Sequence, residues 1–311
     1  MVKACLVIVF NHRYDKNIPV LEKMYSGRFS RILFLVPFYD GAKENVIPVY
    51  ESSHYFQSYF AQGYHRFQHP EITHYFFIGD DCILHPSIDE HNFQERMGVP
   101  DNADFLPQLI EFHKLHGRPW WHAYKGIDFF GNRKGAEIAS QLPAREEAVR
   151  RFAQHGLSDE PLTLDNIFGT EKPAGQSWWR YWLFRQYHYR YKWRKFQENG
   201  RIRLPYPVAG SYSDILLIHR NSIQAFCRYC GVMAAAGLFV EIAVPTALLL
   251  AAEKIVQEKD LKLQGEALWT PREISDVEEK YNRSLSNLLQ NFPPGKLYYH
   301  PVKLSKWTND L

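Results

Sequence analysis

Chemistry in this chain concentrates first on two adjacent carboxylates, Asp80 and Asp81, in the string Tyr75-Phe76-Phe77-Ile78-Gly79-Asp80-Asp81-Cys82-Ile83-Leu84. Apolar sequence leads into the pair and resumes directly after it. Two charges are costly in such a stretch without a compensating ion or partner. A divalent cation carried with a diphosphate would supply one, because Mg2+ and Mn2+ take hard oxygen ligands and keep phosphate oxygens in their shell. The plain alternative is an Asp-rich surface turn. A second acid, Glu241, stands between Leu238-Phe239-Val240 and Ile242-Ala243-Val244, the most apolar part of the chain. Burial there raises a carboxyl pKa, which suits a general base, unless the acid is bonded to Arg220, Arg228 or backbone amides. A third, Asp214, closes Gly210-Ser211-Tyr212-Ser213-Asp214, where a carboxylate can accept from ligand hydroxyls or cap a turn.

These residues need elements to hold them. Ala4 to Phe10 is a continuous apolar, β-branched run, as expected of a strand covered on both faces by helices in a mainly parallel sheet. Lys16 to Tyr25 has the spacing of a helix, and Arg31 to Val36 that of a second strand. Asn45 to Tyr50 reads as a third strand, Ser53 to Phe67 as a helix, and Thr73 to Ile78 as a fourth strand. Asp80 and Asp81 therefore sit beyond a strand's carboxyl end, where open α/β sheets bind ligands. Further on, helices are expected near Phe105 to His116, Glu146 to His155 and Ser222 to Ala236, and another from about Glu241 to Glu258. Strand character returns over Tyr206 to Leu217.

An apolar strand ending in an Asp-rich triplet, after a β-α-β-α-β start, resembles the DXD motif of GT-A nucleotide-sugar glycosyltransferases. Here the triplet is Gly79-Asp80-Asp81, with Cys82 where a literal Asp-x-Asp read from Asp80 would place its second acid. The resemblance implies Asp81 as metal ligand and Asp80 as a partner of the ribose or of the metal's surroundings. It extends to His300-Pro301-Val302-Lys303, similar to the late His and Lys that complete the metal and pyrophosphate site in several such families. An imidazole would add a nitrogen ligand, leaning towards Mn2+ over Mg2+, and the ammonium would offset diphosphate charge. By position, Asn11 in Phe10-Asn11-His12-Arg13 would meet the nucleotide base, and Arg13 would approach phosphate. Glu241 resembles the acid that deprotonates the acceptor hydroxyl in inverting members, and Asp214 would bind donor-sugar or acceptor hydroxyls. The fold implied is α/β, GT-A type: a Rossmann-like, mainly parallel sheet flanked by helices, with helical elaborations. One catalytic domain over 1–311 is expected, with a nucleotide-binding half (1–90), an acceptor-side half (91–290) carrying a basic aromatic insertion at about 176–200, and a segment (291–311) closing the metal site. The activity implied is metal-dependent transfer of a sugar from a nucleotide diphosphate sugar, a UDP-sugar on family grounds, to a glycan or lipid-linked glycan in polysaccharide biosynthesis.

Composition is compatible with this. Of 311 residues, 45% are hydrophobic and 23% charged, and the net charge is +3, so a folded chain is expected and no polyanionic partner is demanded. Cys5, Cys82, Cys227 and Cys230 are too few for a disulfide scaffold, and Cys227 and Cys230 read as buried thiols in a helix. Ala4 to Phe10 follows a single Lys3 and has no small-residue cleavage site, so it is poor as a signal peptide. Gly231 to Ala252 has the length of a membrane span, but Glu241 at its centre argues for soluble segments. The location expected is cytoplasmic, with peripheral attachment at the inner membrane face as an option. That option rests on residues 178–196, which hold six Lys or Arg among many aromatics and no acid. Such a stretch could lie on anionic lipid, grip single-stranded nucleic acid, or turn its aromatics inwards. With the transferase reading no nucleic-acid partner is expected. The rivals are a sugar-phosphate nucleotidyltransferase, which would carry a glycine-rich phosphate loop absent after the first strand, and a nucleic-acid-binding module using 178–196.

Overall fold

The computed structural model describes residues 3–132, 137–173 and 175–311. The chain begins β1 (Ala4–Val9), α1 (Ile18–Tyr25), β2 (Ile32–Pro37), β3 (Val46–Val49), α2 (Gln57–Phe67) and β4 (His74–Gly79), as its apolar runs predict. Every residue of β1 is buried, with parallel partners on both sides: β2 in register Leu6↔Ile32 and β4 in register Leu6↔Phe76. Alternate β1 side chains feed two cores, Cys5, Val7 and Val9 on one face and Ala4, Leu6 and Ile8 on the other. Covering both faces is what makes the strand apolar throughout rather than alternating.

Next come β5 (Ile83–Leu84), α3 (Phe93–Met97), β6 (Asp104–Leu106), α4 (Trp121–Asn132), α5 (Arg145–Gln154), α6 (Leu164–Phe168), α7 (Trp178–Tyr187) and the short hairpin β7 (Gln197–Glu198) and β8 (Arg201–Ile202). They are followed by β9 (Ile215–His219), α8 (Arg220–Ala235), α9 (Val240–Ala251), β10 (Ile255–Gln257), β11 (Gln264–Ala267), α10 (Pro271–Lys280), α11 (Leu285–Gln290) and β12 (Lys296–His300). The central sheet has seven strands in the order β10-β6-β9-β4-β1-β2-β3. It is mostly parallel, except that β9 runs antiparallel to β4 and β6. A second sheet, β11-β12-β5, pairs β12 antiparallel with β5, Tyr299 opposite Ile83. This is a mixed α/β architecture of Rossmann-like design, flanked by helices.

Three expectations are corrected. The strand expected over Tyr206 to Leu217 begins only at Ile215 and runs to His219 as β9, because Pro207 and Gly210 break the run before it. Residues 105–116 are not a helix: β6 occupies 104–106 and a single 3-10 turn Phe112–Lys114 follows. Pro107 follows β6 directly, and a proline inside a helix would lose a hydrogen bond and clash with the preceding turn. The helix after Gly237 stops at Ala251 instead of near Glu258, and 255–257 become edge strand β10. No described helix is long and apolar enough to cross a membrane. Cys227 and Cys230 are buried and free. The loop signal at 172–175 includes Ala174, which lies outside the described residues.

Candidate functional site

The chain runs β1, β2, β3 to one side of β1 and then returns to lay β4 on the other. A crevice opens beyond the carboxyl ends of strands wherever an α/β sheet reverses direction in this way. Asn11 follows β1, and Asp80 and Asp81 follow β4. A cavity of about 290 Å3 lies there, lined by Asn11, His12, Tyr14, Asn17, Asp80, Asp81 and Lys303, with Leu304 and Ser305. That volume is at the lower end of the roughly 300–1,000 Å3 usual for small-molecule sites.

Backbone hydrogen bonds fasten this end of the sheet. The Asp80 amide donates to Val9 O at 3.0 Å, and the Gly79 amide to Asp214 O at 2.9 Å. The Val302 amide donates to Asp81 O at 2.7 Å, so the late segment is stitched onto the early acid. Because β12 pairs with β5, His300 arrives beside the turn that follows β4. His300 Nε2 lies 3.2 Å from Asp81 Oδ1, and Nδ1 lies 3.4 Å from Asp214 Oδ2. Gly79 leaves room for this: a Cβ there would stand 3.2 Å from Asp81 Oδ1.

Of the residues singled out from the sequence, Asn11, Asp80, Asp81 and Lys303 share one cavity wall, and His300 bridges Asp81 to Asp214. Glu241 lies outside that cavity, in the first turn of α9, tied to the same loop through Ser213 Oγ, which donates to Oε2 at 3.4 Å. The reason is local. Pro245, inside α9, has no amide to give to the Glu241 carbonyl four residues back. The Ser211 amide takes its place at 3.0 Å, which binds the helix start to the Gly210–Asp214 loop. Arg13 does not face the cavity as a free cation; it pairs with Asp15 at 3.2 Å and with Asp40.

The electrostatics follow from burial and crowding. The Asp80 carboxyl is pushed up to about 7, mainly by burial and then by the neighbouring Asp81 charge, with the Asn17 amide, donating at 3.0 Å, opposing. Burial raises Asp214 as well; His300 works against this and Asp81 with it. Glu241 rises well above the ordinary carboxylate range through burial and then Asp214, opposed by the Ser213 hydroxyl and Lys125. Burial acts to lower His300, but its hydrogen bond to Asp81 and the charges of Asp214, Asp81 and Asp80 outweigh that and hold it raised.

Among the described residues no three His, Cys, Asp or Glu side chains form a closed metal set. The site offers a pair, Asp81 and His300, which suits an ion that draws its other ligands from phosphate and water. Two ligand atoms each about 2.1 Å from an octahedral ion lie roughly 3 Å apart, close to the 3.2 Å between Asp81 Oδ1 and His300 Nε2. Asp214 beside Nδ1 would fix the tautomer with Nε2 free to ligate, as carboxylates behind metal-binding histidines do.

Residues not read from the sequence also contribute. Asn17 positions Asp80, Ser213 positions Glu241, and Lys125 Nζ lies 3.7 Å over the Phe239 ring, next to the start of α9. Lys125 and Phe239 help wall a second cavity, of about 550 Å3. Tyr212 packs against the exposed Trp269 with ring centroids 4.5 Å apart. Ser213 stands in the Gly210–Asp214 run that the sequence did mark, whereas Asn17 lay in the stretch read as helix from Lys16 to Tyr25. Nothing in spacing marks Lys125 or Trp269, which reach the site only through the packing of α4 and the end of β11.

The fold and this crevice thus define a Rossmann-like α/β protein with an acidic, histidine-bearing pocket at the reversal point of its sheet. No family model matches the chain, and no curated protein matches it by sequence.

Proposed function

We propose that this protein is a metal-dependent glycosyltransferase of GT-A type, transferring a sugar from a nucleoside diphosphate sugar, a UDP-sugar first among them, to a hydroxyl of a glycan acceptor. The observation that carries the reading is the pairing of His300, at 3.2 Å, with Asp81, which lines a cavity that also presents Asn11, Asp80 and Lys303. An acid and an imidazole brought from distant stretches to a sheet-reversal crevice suit a cation bound together with a diphosphate.

Asp81 and His300 Nε2 would hold Mn2+ or Mg2+, with Asp214 orienting the imidazole. The bound ion supplies positive charge that stabilises the departing diphosphate. Lys303 adds an ammonium to the same phosphates. Asp80, buried and held by Asn17, accepts a ribose hydroxyl, and Asn11 offers both a donor and an acceptor to the base edge. Glu241, its pKa raised, takes the proton of the acceptor hydroxyl. The oxygen then forms its bond to the anomeric carbon as the bond to the diphosphate oxygen breaks and that electron pair leaves with the nucleotide. The cavity beside Lys125 and Phe239 is the acceptor's side, since it adjoins the helix start that carries the base.

The test is a donor-hydrolysis and transfer screen with UDP-, GDP- and CMP-sugars, with and without Mn2+, run in parallel on Asp81→Ala. Turnover of one donor that requires Mn2+ and is lost in the variant supports the assignment. Turnover of none, or turnover indifferent to Asp81, removes it. Product NMR on an active pair reads inversion, which the base role of Glu241 requires.

A further inference from the structure

Helix α7 carries Trp178, Trp179, Trp182, Leu183, Phe184 and Tyr187 exposed to solvent. Large apolar side chains do not gather on a surface of water-soluble polypeptide without a partner. At helical spacing Trp179, Leu183 and Tyr187 form one stripe, while Tyr181 alone in the helix is buried and faces the body of the protein. The segment continues through a π-turn, His188–Lys192, to Tyr191, which is 77% exposed. Residues 178–196 themselves carry basic side chains and no acid. Arg185 and Lys192 are neutralised by Asp165 and Asp128, whereas Arg180, Arg190, Arg194 and Lys195 stand exposed.

We propose that the outer face of α7 docks on an anionic lipid bilayer, lying in the plane of the interface with Trp179, Leu183 and Tyr187 among the headgroups and the arginines on lipid phosphates. Trp and Tyr at the apolar face with Lys and Arg beside it is the composition that binds this interface. Ten residues of α7 extend about 15 Å, half of the roughly 30 Å hydrocarbon core, so the helix lies on a membrane and does not cross one. A cavity of about 360 Å3 runs along the same helix, walled by Trp121, Ser177, Arg180 and Phe184, and offers a headgroup a guanidinium between aromatic walls. Other occupants fit less well. Trp179 and Trp182 stack on each other, 5.2 Å apart at 16°, so they form a ridge, whereas single-stranded nucleic acid needs free ring faces to receive bases. A second copy would bring two cationic faces together.

The test is co-sedimentation of the full chain with phosphatidylcholine vesicles and with vesicles containing added phosphatidylglycerol, without donor or metal, so its result is separate from whether the protein transfers sugar. Expected is binding to the anionic vesicles that weakens with salt. It should fall roughly twenty-five-fold in Arg180→Gln/Arg190→Gln, at about five-fold per cation, and be lost in Trp179→Ser/Leu183→Ser. Tryptophan emission of the unaltered chain should also be quenched by brominated acyl chains, a readout independent of how the variants fold. Equal or absent binding to the two vesicle types without quenching overturns the proposal. So does tighter binding of a single-stranded RNA, or a dimer in solution that Trp179→Ser/Leu183→Ser abolishes.

Discussion

Asp81 is asked to do two things at once: its carboxylate meets His300 and its carbonyl receives the Val302 amide. Only the first depends on the side-chain charge. Asp81→Asn should therefore keep the fold and lower Mn2+-dependent donor turnover by at least about a hundredfold, since loss of a group merely behind a metal ligand already costs 10–100-fold. Asp214→Asn tests that supporting role. It should weaken Mn2+ affinity by about 10–100-fold while leaving the Gly79 amide its carbonyl acceptor; unchanged Mn2+ titrations would remove Asp214 from the site. Glu241→Gln should behave differently from both, with binding of UDP and Mn2+ intact and transfer to the acceptor reduced by roughly 10²–10⁴. A parallel loss of donor binding would show that Glu241 shapes the pocket instead of taking a proton.

At the scale of elements, β4, β6 and β9 bury two ionisable groups whose effects on stability run in opposite directions. Asp104 in β6 is wholly buried, accepting from the His219 amide and the Ser222 hydroxyl, each at 2.7 Å. Burial pushes its carboxyl up to about 7. Its contribution is fully present below the unfolded pKa near 4 and is lost as pH rises through 7. His74 in β4, equally buried, is driven down to about 3, by burial first and then by His219 and Arg220. Its contribution is present above pH 6.5 and is lost as pH falls towards 3. Each amounts to roughly 4 kcal/mol across its window, so between about pH 4 and 6.5 they largely cancel. His74→Phe should leave a protein whose urea midpoint falls as pH rises, and Asp104→Asn one whose midpoint falls on acidification. Matching slopes in the two variants would refute this pairing.

The same elements show where sequence is legible. The strands β1, β2 and β4 could be read because burial on both faces makes an unbroken apolar run, and the position of Asp80 and Asp81 followed from the end of one. The three-residue β6 is too short to show a period, and a helix expected near Phe105 to His116 overlooks Pro107. The contact of Asp214 with His300 was beyond reach, because it depends on β9 lying antiparallel beside β4, a pairing that no local pattern states. Glu241 was visible as an acid in apolar sequence; what ties it to the Gly210–Asp214 loop, the carbonyl freed by Pro245, emerges only when the Ser211 amide is seen to fill it.

For the molecule as a whole, the crevice is lined from near both ends of the described chain, by Asn11 and by Lys303, so a ligand bound there should brace the entire fold. UDP with Mn2+ at about a hundred times its Kd should add ~2.7 kcal/mol to the unfolding free energy, seen as a rise in Tm that Asp81→Asn abolishes. A rise that persists in that variant would place the nucleotide elsewhere.

The position of β9 in the sheet carries a consequence for how the protein is born. Residues 74–79 emerge early from the ribosome, but their neighbour on one side, 215–219, comes well over a hundred residues later, and β6 must wait for the same segment. At roughly 5–20 residues per second the nascent chain spends on the order of ten seconds with the open edge of Tyr75-Phe76-Phe77-Ile78 unpaired. A bare aromatic edge of this kind is the template on which chains aggregate. Synthesis of this protein should therefore lean on a holding chaperone during that interval, and slowing translation downstream of codon 80 should shift product from the soluble to the aggregated fraction.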